Sequence, residues 1–265
     1  MRIGIIGCGF VGSAIAHAHQ HDEVIINDPK LANNSQPLSA FNNCDAIFIC
    51  VPSPSKEDGH CDISILEDTL KNLLLVNINR PIPIISKVTA PPEEYARLQK
   101  IYPCLVHSPE FLTAKNAIIE YKYAKWCIVG GGEEYCKRAA EIIFSGMADM
   151  RRDKIMITDI KTAAFYKYLM NSYLATKVTF MNDFYELAVA DGICWDHVKQ
   201  LSRLDDRIGN THWDVPGPDG QYGWGGFCFP KDIAAVIMEA LDQELDFELM
   251  QRVETINKIH RRKNG

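Results

Sequence analysis

Arg2-Ile3-Gly4-Ile5-Ile6-Gly7-Cys8-Gly9-Phe10-Val11-Gly12 opens the chain and decides its fold class. Residues 2–7 make a short apolar run of strand length, and the helical run Ser13–His21 follows. Between them stands Gly-x-Gly-x-x-Gly. Gly7 permits a tight turn, Gly9 lets the backbone approach a pyrophosphate, and Gly12 lets helix and strand pack closely. The helix N-terminus then turns its unpaired N–H groups and positive dipole end toward the phosphates. Phe10 and Val11 complete the expected cofactor loop. A second strand, Glu23–Asn27, ends at Asp28, about 20 residues on, where a ribose-binding carboxylate is expected. Its charge would repel a 2′-phosphate, so NAD is favoured over NADP. The competing reading makes Asp28 a turn residue before Pro29.

Outward from this unit, strand and helix patterns alternate. Strands are predicted at Asp45–Val51, Pro83–Val88, Cys104–His107, Trp126–Val129 and Lys154–Thr158, with helices at Ile63–Val76, Pro92–Ile101 and Glu133–Phe144. This is the pattern of a doubly wound α/β domain with parallel-sheet strands through residue 157. Ligands of such sheets lie outside the carboxyl ends of the strands. Ser53, after the third strand, is there a cofactor donor or a turn residue. Thr89 holds the equivalent place after the fourth strand. Glu110, in His107-Ser108-Pro109-Glu110-Phe111-Leu112, follows the fifth; beside Pro109 and an apolar pair it is either a base with a raised pKa or an acid complementing a helix dipole. His107 reads as structural.

The character changes at Asp159–Asp191, a helical pattern free of proline and glycine and ended by Gly192. Its length predicts a course through the molecule's centre or a dimer interface. Lys167 and Asn171, four apart, share one face; they form a polar site or two solvated positions. Helices are predicted near Trp195–Leu204, Asp232–Leu245 and Glu248–Arg262. The expected domains are a dinucleotide-binding half, residues 1–157, and the long helix with a small all-α domain, residues 158–265.

The 265 residues are 47% hydrophobic and 23% charged, ordinary for a globular protein. A formal charge of -6 argues against non-specific nucleic-acid binding. The longest apolar run, Ala46–Val51, stops at Pro52, far short of a membrane span. Nine cysteines occur without a Cys-x-x-Cys, so neither a zinc site nor a disulfide framework is expected. Reduced thiols fit a cytoplasmic setting, and the strand-like start at Arg2 predicts no signal peptide. His17, His19 and His21 read as a solvated helix end, and no metal is expected.

The second distinctive stretch is Gly223-Trp224-Gly225-Gly226-Phe227-Cys228-Phe229-Pro230-Lys231-Asp232. Glycines leave room for something to approach the backbone. Pro230 suits the first turn of a helix, which puts Cys228 just ahead of a helix N-terminus with Lys231 three residues on. The dipole and the ammonium favour thiolate over thiol. A nucleophilic cysteine is therefore expected, against the alternative of a buried structural one.

This segment resembles the Gly-Gly-x-Cys-x-x-Lys-Asp signature of the UDP-glucose/GDP-mannose 6-dehydrogenase family. Five further segments match in the family's order: the cofactor loop, Lys87-Val88-Thr89-Ala90-Pro91, Pro109-Glu110-Phe111-Leu112, Lys167 with Asn171, and Arg207-Ile208-Gly209. The resemblance implies oxidation of a nucleotide-sugar C6 alcohol to a carboxylate with two NAD, through a thiohemiacetal and a thioester on Cys228. It implies that Lys167 and Asn171 hold the oxyanion, that Asp232 positions water or takes the alcohol proton, and that Glu110 is the base for thioester hydrolysis. Thr89 and Lys231 would border NAD and the reacting centre. Glu110, Phe111, Leu112, Lys167, Asn171, Arg207 and Gly225 would contact substrate, Arg207 across a subunit interface, and the loop Gly217–Gly223 would wrap the sugar. From its length, a homodimer through the long helix is expected.

Two departures accompany the match. Ala114 stands where the family carries a second glutamate. The chain ends where the family's third, nucleotide-gripping domain begins, so a short form is expected. Two other functions share the fold: a two-electron β-hydroxyacid dehydrogenase-like enzyme that uses the lysine and asparagine without a cysteine, and a non-catalytic NAD-binding paralogue.

Overall fold

The computed structural model describes residues 1–31, 34–76, 81–113, 115–149 and 151–263. Its strands are β1 Arg2–Ile6, β2 Glu23–Asn27, β3 Ala46–Ile49, β4 Ile84–Ser86, β5 Leu105–His107, β6 Cys127–Gly131 and β7 Ile155–Thr158. Its helices are α1 Phe10–Ala18, α2 Ser64–Leu74, α3 Pro92–Ile101, α4 Ala117–Lys122, α5 Glu133–Ser145, α6 Ile160–Ala190, α7 Trp195–Ser202, α8 Phe229–Asp242 and α9 Glu248–Arg262. Two compact units result. The first comprises Met1–Pro54 and Cys61–Lys167; the second comprises Ser55–His60 and the chain from Tyr168 onward.

The first unit is a seven-stranded sheet in the order β2-β1-β3-β4-β5-β6-β7. Strand β3 is apolar along its whole length, and β1 from Ile3 onward, because helices cover both faces. One face buries Ile47, Ile49, Leu66, Leu70, Tyr95 and Leu98, from α2 and α3 and the strands beneath them. The other buries Ile3, Ile5, Ile15, Phe48, Tyr121 and Ile143, with α1, α4 and α5 above. The chain leaves β1 through α1 to β2 on one side and returns to β3 on the other. Strand order reverses at β1/β3, the place where such sheets bind ligands.

Not every strand is parallel as predicted. β5 and β6 pair antiparallel, with Val106 opposite Gly131 and His107 opposite Gly130. An apolar run buried on both faces reads alike in either direction, so the sequence does not encode this reversal. The short α4 was also unforeseen, because six residues are too few to display a helical period. A further correction concerns the histidines of α1. His19 is 1% exposed, not solvated, and its Nδ1 lies 2.8 Å from Asp22 Oδ2.

His107 is buried against Tyr95, the rings stacked with centroids 4.2 Å apart. Burial pushes its pKa down to about 3, and the Lys87 and Lys167 ammonium groups act in the same direction. The folded protein keeps this ring neutral, whereas the unfolded chain takes a proton below the ordinary value of 6.5. The resulting stability is complete above that pH and is lost as pH falls toward the folded value, by up to ~1.4 kcal/mol per pH unit. His107→Phe keeps the stack and removes the titration. Urea unfolding at successive acid pH values should show a flatter decline in the variant; parallel declines would contradict this.

The second unit packs α7, α8, α9 and the later part of α6 around two clusters. One contains Ala175, Trp224, Ile233, Ile237, Met250 and Val253, the other Met181, Ala188, Trp195, Trp213 and Val215. The segment Ser55–His60 belongs here: His60 Nε2 lies 3.0 Å from Asp242 Oδ2 at the end of α8. α6 runs 31 residues, longer than a usual globular helix. Among the described residues no helix is long and apolar enough to cross a membrane.

Candidate active site

The nucleotide loop has the geometry its glycines require. Gly7 has φ +85°, and a Cβ there would lie 2.7 Å from the Cys50 carbonyl oxygen. A Cβ on Gly12 would collide with the Gly7 carbonyl, so helix and loop touch. Beside Gly9 the space is open, and Gly9 is the N-cap of α1. This is a cradle for an anion: a helix N-terminus approached across bare backbone. Asp28, at the end of β2, accepts the Cys8 N–H at 2.6 Å and the Lys30 N–H at 2.8 Å. Those two bonds, the one from Cys8 above all, hold its carboxyl below the usual carboxylate range. Asp28 therefore stays ionised and fixed to the glycine loop. The chemistry fits a dinucleotide, with amides for the pyrophosphate and a carboxylate for ribose hydroxyls.

The carboxyl ends of β3, β4 and β5 carry the next groups. Ser53 donates its hydroxyl proton to the Thr89 carbonyl at 2.7 Å, tying two strand-end loops together. Both residues are buried. Glu110 is 9% exposed; its Oε2 accepts the Leu112 N–H at 2.6 Å. Lys167 of α6, 4% exposed, donates to the Glu110 carbonyl at 2.5 Å and lies 3.5 Å from its Oε1. The same ammonium stands 5.0 Å from the centre of the Phe111 ring. Glu110, Phe111, Leu112, Lys87, Tyr121 and Trp126 face a cavity of about 240 Å³. Aromatic and charged side chains line it together, the make-up of a small-molecule site.

In the second unit the thiol stands where predicted relative to a helix start, although α8 begins earlier than Asp232. Cys228 is the N-cap residue of α8, half-buried, with Pro230 in the first turn. Its carbonyl accepts the Asp232 N–H at 3.0 Å, so the two residues stack one turn apart. Asp232 is 2% exposed. Its Oδ2 accepts from Asn171 Nδ2 at 2.6 Å and its Oδ1 from Lys231 Nζ at 2.6 Å. A carboxylate in the first turn of a helix with two such donors is held in one orientation. It occupies one of the two N–H bonds of the Asn171 amide and thereby orients the other. Arg207 is 89% exposed at its side chain and grips Asp205 at 2.6 Å.

The signature glycines have an unforeseen neighbour. A Cβ on Gly223 would collide with Asn257 Oδ1, and one on Gly225 with the Arg261 guanidinium, both from α9. Sequence reading also passed over Lys87, which is 6% exposed and donates to Ser108 Oγ at 2.9 Å; burial lowers its pKa. The signals existed. Lys87 ends an apolar strand, and Asn257 falls on the spacing of Met250, Val253 and His260, where a core side chain is expected. Ala114 lies outside the described residues.

So Glu110 and Lys167 meet in the first unit, and Asn171, Asp232 and Lys231 meet in the second beside the α8 start that carries Cys228. Comparison with known proteins matches both halves of the chain to one family. Residues 26–148 match the NAD-binding domain of the UDP-glucose/GDP-mannose dehydrogenase family, and residues 161–259 match its central domain. The UDP-glucose 6-dehydrogenase of Rickettsia prowazekii is 31% identical over 228 residues, which is 83% of this chain and 50% of the relative. The Bacillus subtilis UDP-glucose 6-dehydrogenase YwqF is 28% identical over 301 residues, covering 97% of this chain and 66% of its own. The chain thus spans about half the length of the first of these relatives and two thirds of the second. A UDP-glucose dehydrogenase structure from Pyrobaculum islandicum superposes with a TM-score of 0.82 at 22% identity, over 97% of this chain and 68% of that one. That likeness establishes the shared fold. With both domain models matched in order across the sheet, the long helix and the cysteine loop, the chain belongs to the UDP-glucose/GDP-mannose dehydrogenase family.

Proposed function

We propose that the chain oxidises the C6 alcohol of a UDP-glucose-like nucleotide sugar to the carboxylate. Residues 1–157 would carry the cofactor, and residues 158–265 the substrate and dimerisation functions. NAD, when bound, supplies the hydride acceptor for each two-electron oxidation. Gly7, Gly9, Phe10, Val11 and Gly12 cradle its pyrophosphate, Asp28 takes a ribose, and Ser53, Thr89 and Lys231 border it. Once C6 is an aldehyde, the Cys228 sulfur adds to it and forms the C–S bond of a thiohemiacetal. Lys167 and Asn171 donate to the resulting oxyanion. Loss of the second hydride leaves a thioester. Glu110 takes a proton from the water that attacks it, the C–S bond breaks, and the thiol leaves with the carboxylate as product. Asp232 holds a water or takes the alcohol proton. Phe111, Leu112 and Arg207 contact the sugar nucleotide, whereas Gly225, expected from the sequence to do so, makes room for Arg261 of α9.

The observation that carries this proposal is the start of α8. A buried carboxylate bound by an amide and an ammonium lies one turn from a cysteine at a helix N-cap. A purely structural cysteine needs no such neighbours. Incubation with NAD and UDP-glucose, GDP-mannose or related sugars should yield NADH and the uronate. NAD that raises the melting temperature, with no NADH from any sugar nucleotide, would favour the non-catalytic paralogue and overturn the proposal.

Asp28 gives a separate prediction. Asp28→Ala should weaken NAD binding about tenfold while leaving NADP binding unchanged or improved, because one charged hydrogen-bond partner is worth ~1.5 kcal/mol or more. Calorimetric titration of both dinucleotides checks it; equal losses for the two would contradict the ribose role.

A homodimer through α6 is also proposed. Leu169, Tyr173, Phe180, Phe184 and Leu187 are each about half exposed. Their spacings of four, seven, four and three form one apolar stripe along the helix. Such a stripe marks an interaction face. Light scattering that finds only monomer at micromolar concentration would contradict it.

A further inference from the structure

The loop ahead of Cys228 is gripped from a helix that the proposed chemistry does not use. Asn257 of α9 is 6% exposed. Its Oδ1 accepts the Trp224 N–H at 2.7 Å, and its Nδ2 donates to the Trp224 carbonyl at 2.9 Å. One amide side chain thus satisfies both backbone groups of a single residue, as a neighbouring strand would. Asn182 Oδ1 accepts the Gly223 N–H at 2.8 Å, and the Trp224 indole donates to Thr179 Oγ1 at 3.0 Å. Arg261, four residues beyond Asn257, pairs with Asp219 at 2.7 Å across the same loop. Gly223 has φ +70°, and any side chain there would displace Asn257. α9 is itself fixed to α6 through His260, 2% exposed, whose Nε2 lies 2.9 Å from Asp183.

We infer that Asn257 is a positioning residue for the Cys228 thiol. The buried face of α9 runs Met250, Val253, Asn257, His260, and a leucine at 257 would fill an apolar position without the desolvation penalty of an amide. Among the described residues the amide is matched there by Trp224, four residues before Cys228. Between Trp224 and the start of α8 the chain has no regular structure, and Gly226 turns it with φ +78°. The direction in which the chain enters α8 is therefore set upstream, at Trp224. Fixing both polar groups of Trp224 fixes the N-cap residue and the line along which its sulfur points. The inference rests on the proposed nucleophilic role of Cys228.

The test compares wild type with Asn257→Ala, Asn257→Asp, which keeps the acceptor and removes the donor, Asn182→Ala, which loses the Gly223 bond together with the bond from Asn182 Nδ2 to the Val178 carbonyl within α6, and Thr255→Ala on the exposed face of α9. Two rates are measured well below each variant's melting temperature: NADH formation, and alkylation of Cys228 by iodoacetamide followed by peptide mass spectrometry. Asn257→Ala should lower kcat on the order of 10- to 100-fold, the cost of a misplaced reacting group, with KM for NAD within about twofold. It should slow alkylation at least ~threefold, because the sulfur leaves the helix N-terminus that favours thiolate. Asn257→Asp and Asn182→Ala should fall between it and wild type, and they carry the test if Asn257→Ala does not fold. Thr255→Ala should match wild type. A lower melting temperature with kcat and alkylation unchanged would overturn the inference, since a role in stability alone moves neither. If wild type forms no NADH, the dehydrogenase proposal fails, but alkylation still decides: equal rates in all variants overturn the positioning role, and the graded order sustains it.

Discussion

Cys228→Ser is expected to lower steady-state NADH formation at least ~1,000-fold, which corresponds to ~4 kcal/mol of barrier. The exchange is nearly isosteric at a half-buried N-cap position, and serine is itself a good N-cap, so the melting temperature should hold. What changes is the nucleophile. A hydroxyl does not ionise near neutral pH and is a far weaker nucleophile than a thiolate. The aldehyde then lacks the sulfur adduct from which the second oxidation proceeds. Rate and melting temperature measured together separate chemistry from folding. A serine variant that turns over like wild type would exclude the thiohemiacetal route.

The second large effect is expected at Lys167→Met, which keeps the stem and removes the ammonium. In wild type that ammonium donates to the Glu110 carbonyl at 2.5 Å and lies 3.5 Å from its carboxylate, with both residues buried. Removal leaves a buried carbonyl unpaired and a buried carboxylate without its cation, a loss of ~1–3 kcal/mol in stability. It also removes the proposed oxyanion donor, which is expected to lower kcat on the order of 100-fold or more. Combining Lys167→Met with Glu110→Gln should restore part of the stability, because the stranded charge is gone, and none of the activity. Denaturant unfolding and steady-state kinetics on the four proteins check both halves. Activity within threefold of wild type in Lys167→Met would contradict the oxyanion role.

Much of the fold was legible because its signals are local. Gly7, Gly9 and Gly12 between an apolar strand and a helix admit one arrangement, and the structure holds it, with a collision waiting for any side chain at Gly12. The long helix showed itself through the absence of proline and glycine from Asp159 to Asp191. The direction of β6 was not legible, since a strand buried on both faces carries the same apolar pattern either way. Nor was the neighbour of Gly225. The glycines announced close approach, but whether a ligand or the protein's own α9 makes it depends on tertiary packing, and the structure puts the Arg261 guanidinium there. The pairing of Lys167 with Glu110 and of Asn171 with Asp232 likewise joins residues 57 and 61 positions apart in the chain. Residue types at strand ends and on a helix face pointed to each separately; only the folded chain shows which carboxylate meets which donor.

The central claim is that the sugar carbon is oxidised twice, the second time as an adduct of the Cys228 sulfur. Its most direct test is the number of NADH formed per sugar consumed, with UDP-glucose or a related nucleotide sugar limiting and NAD in excess. Two NADH and one uronate per substrate is the predicted result. One NADH per substrate, with an aldehyde or ketone as the final product, would contradict it and assign the fold to two-electron chemistry.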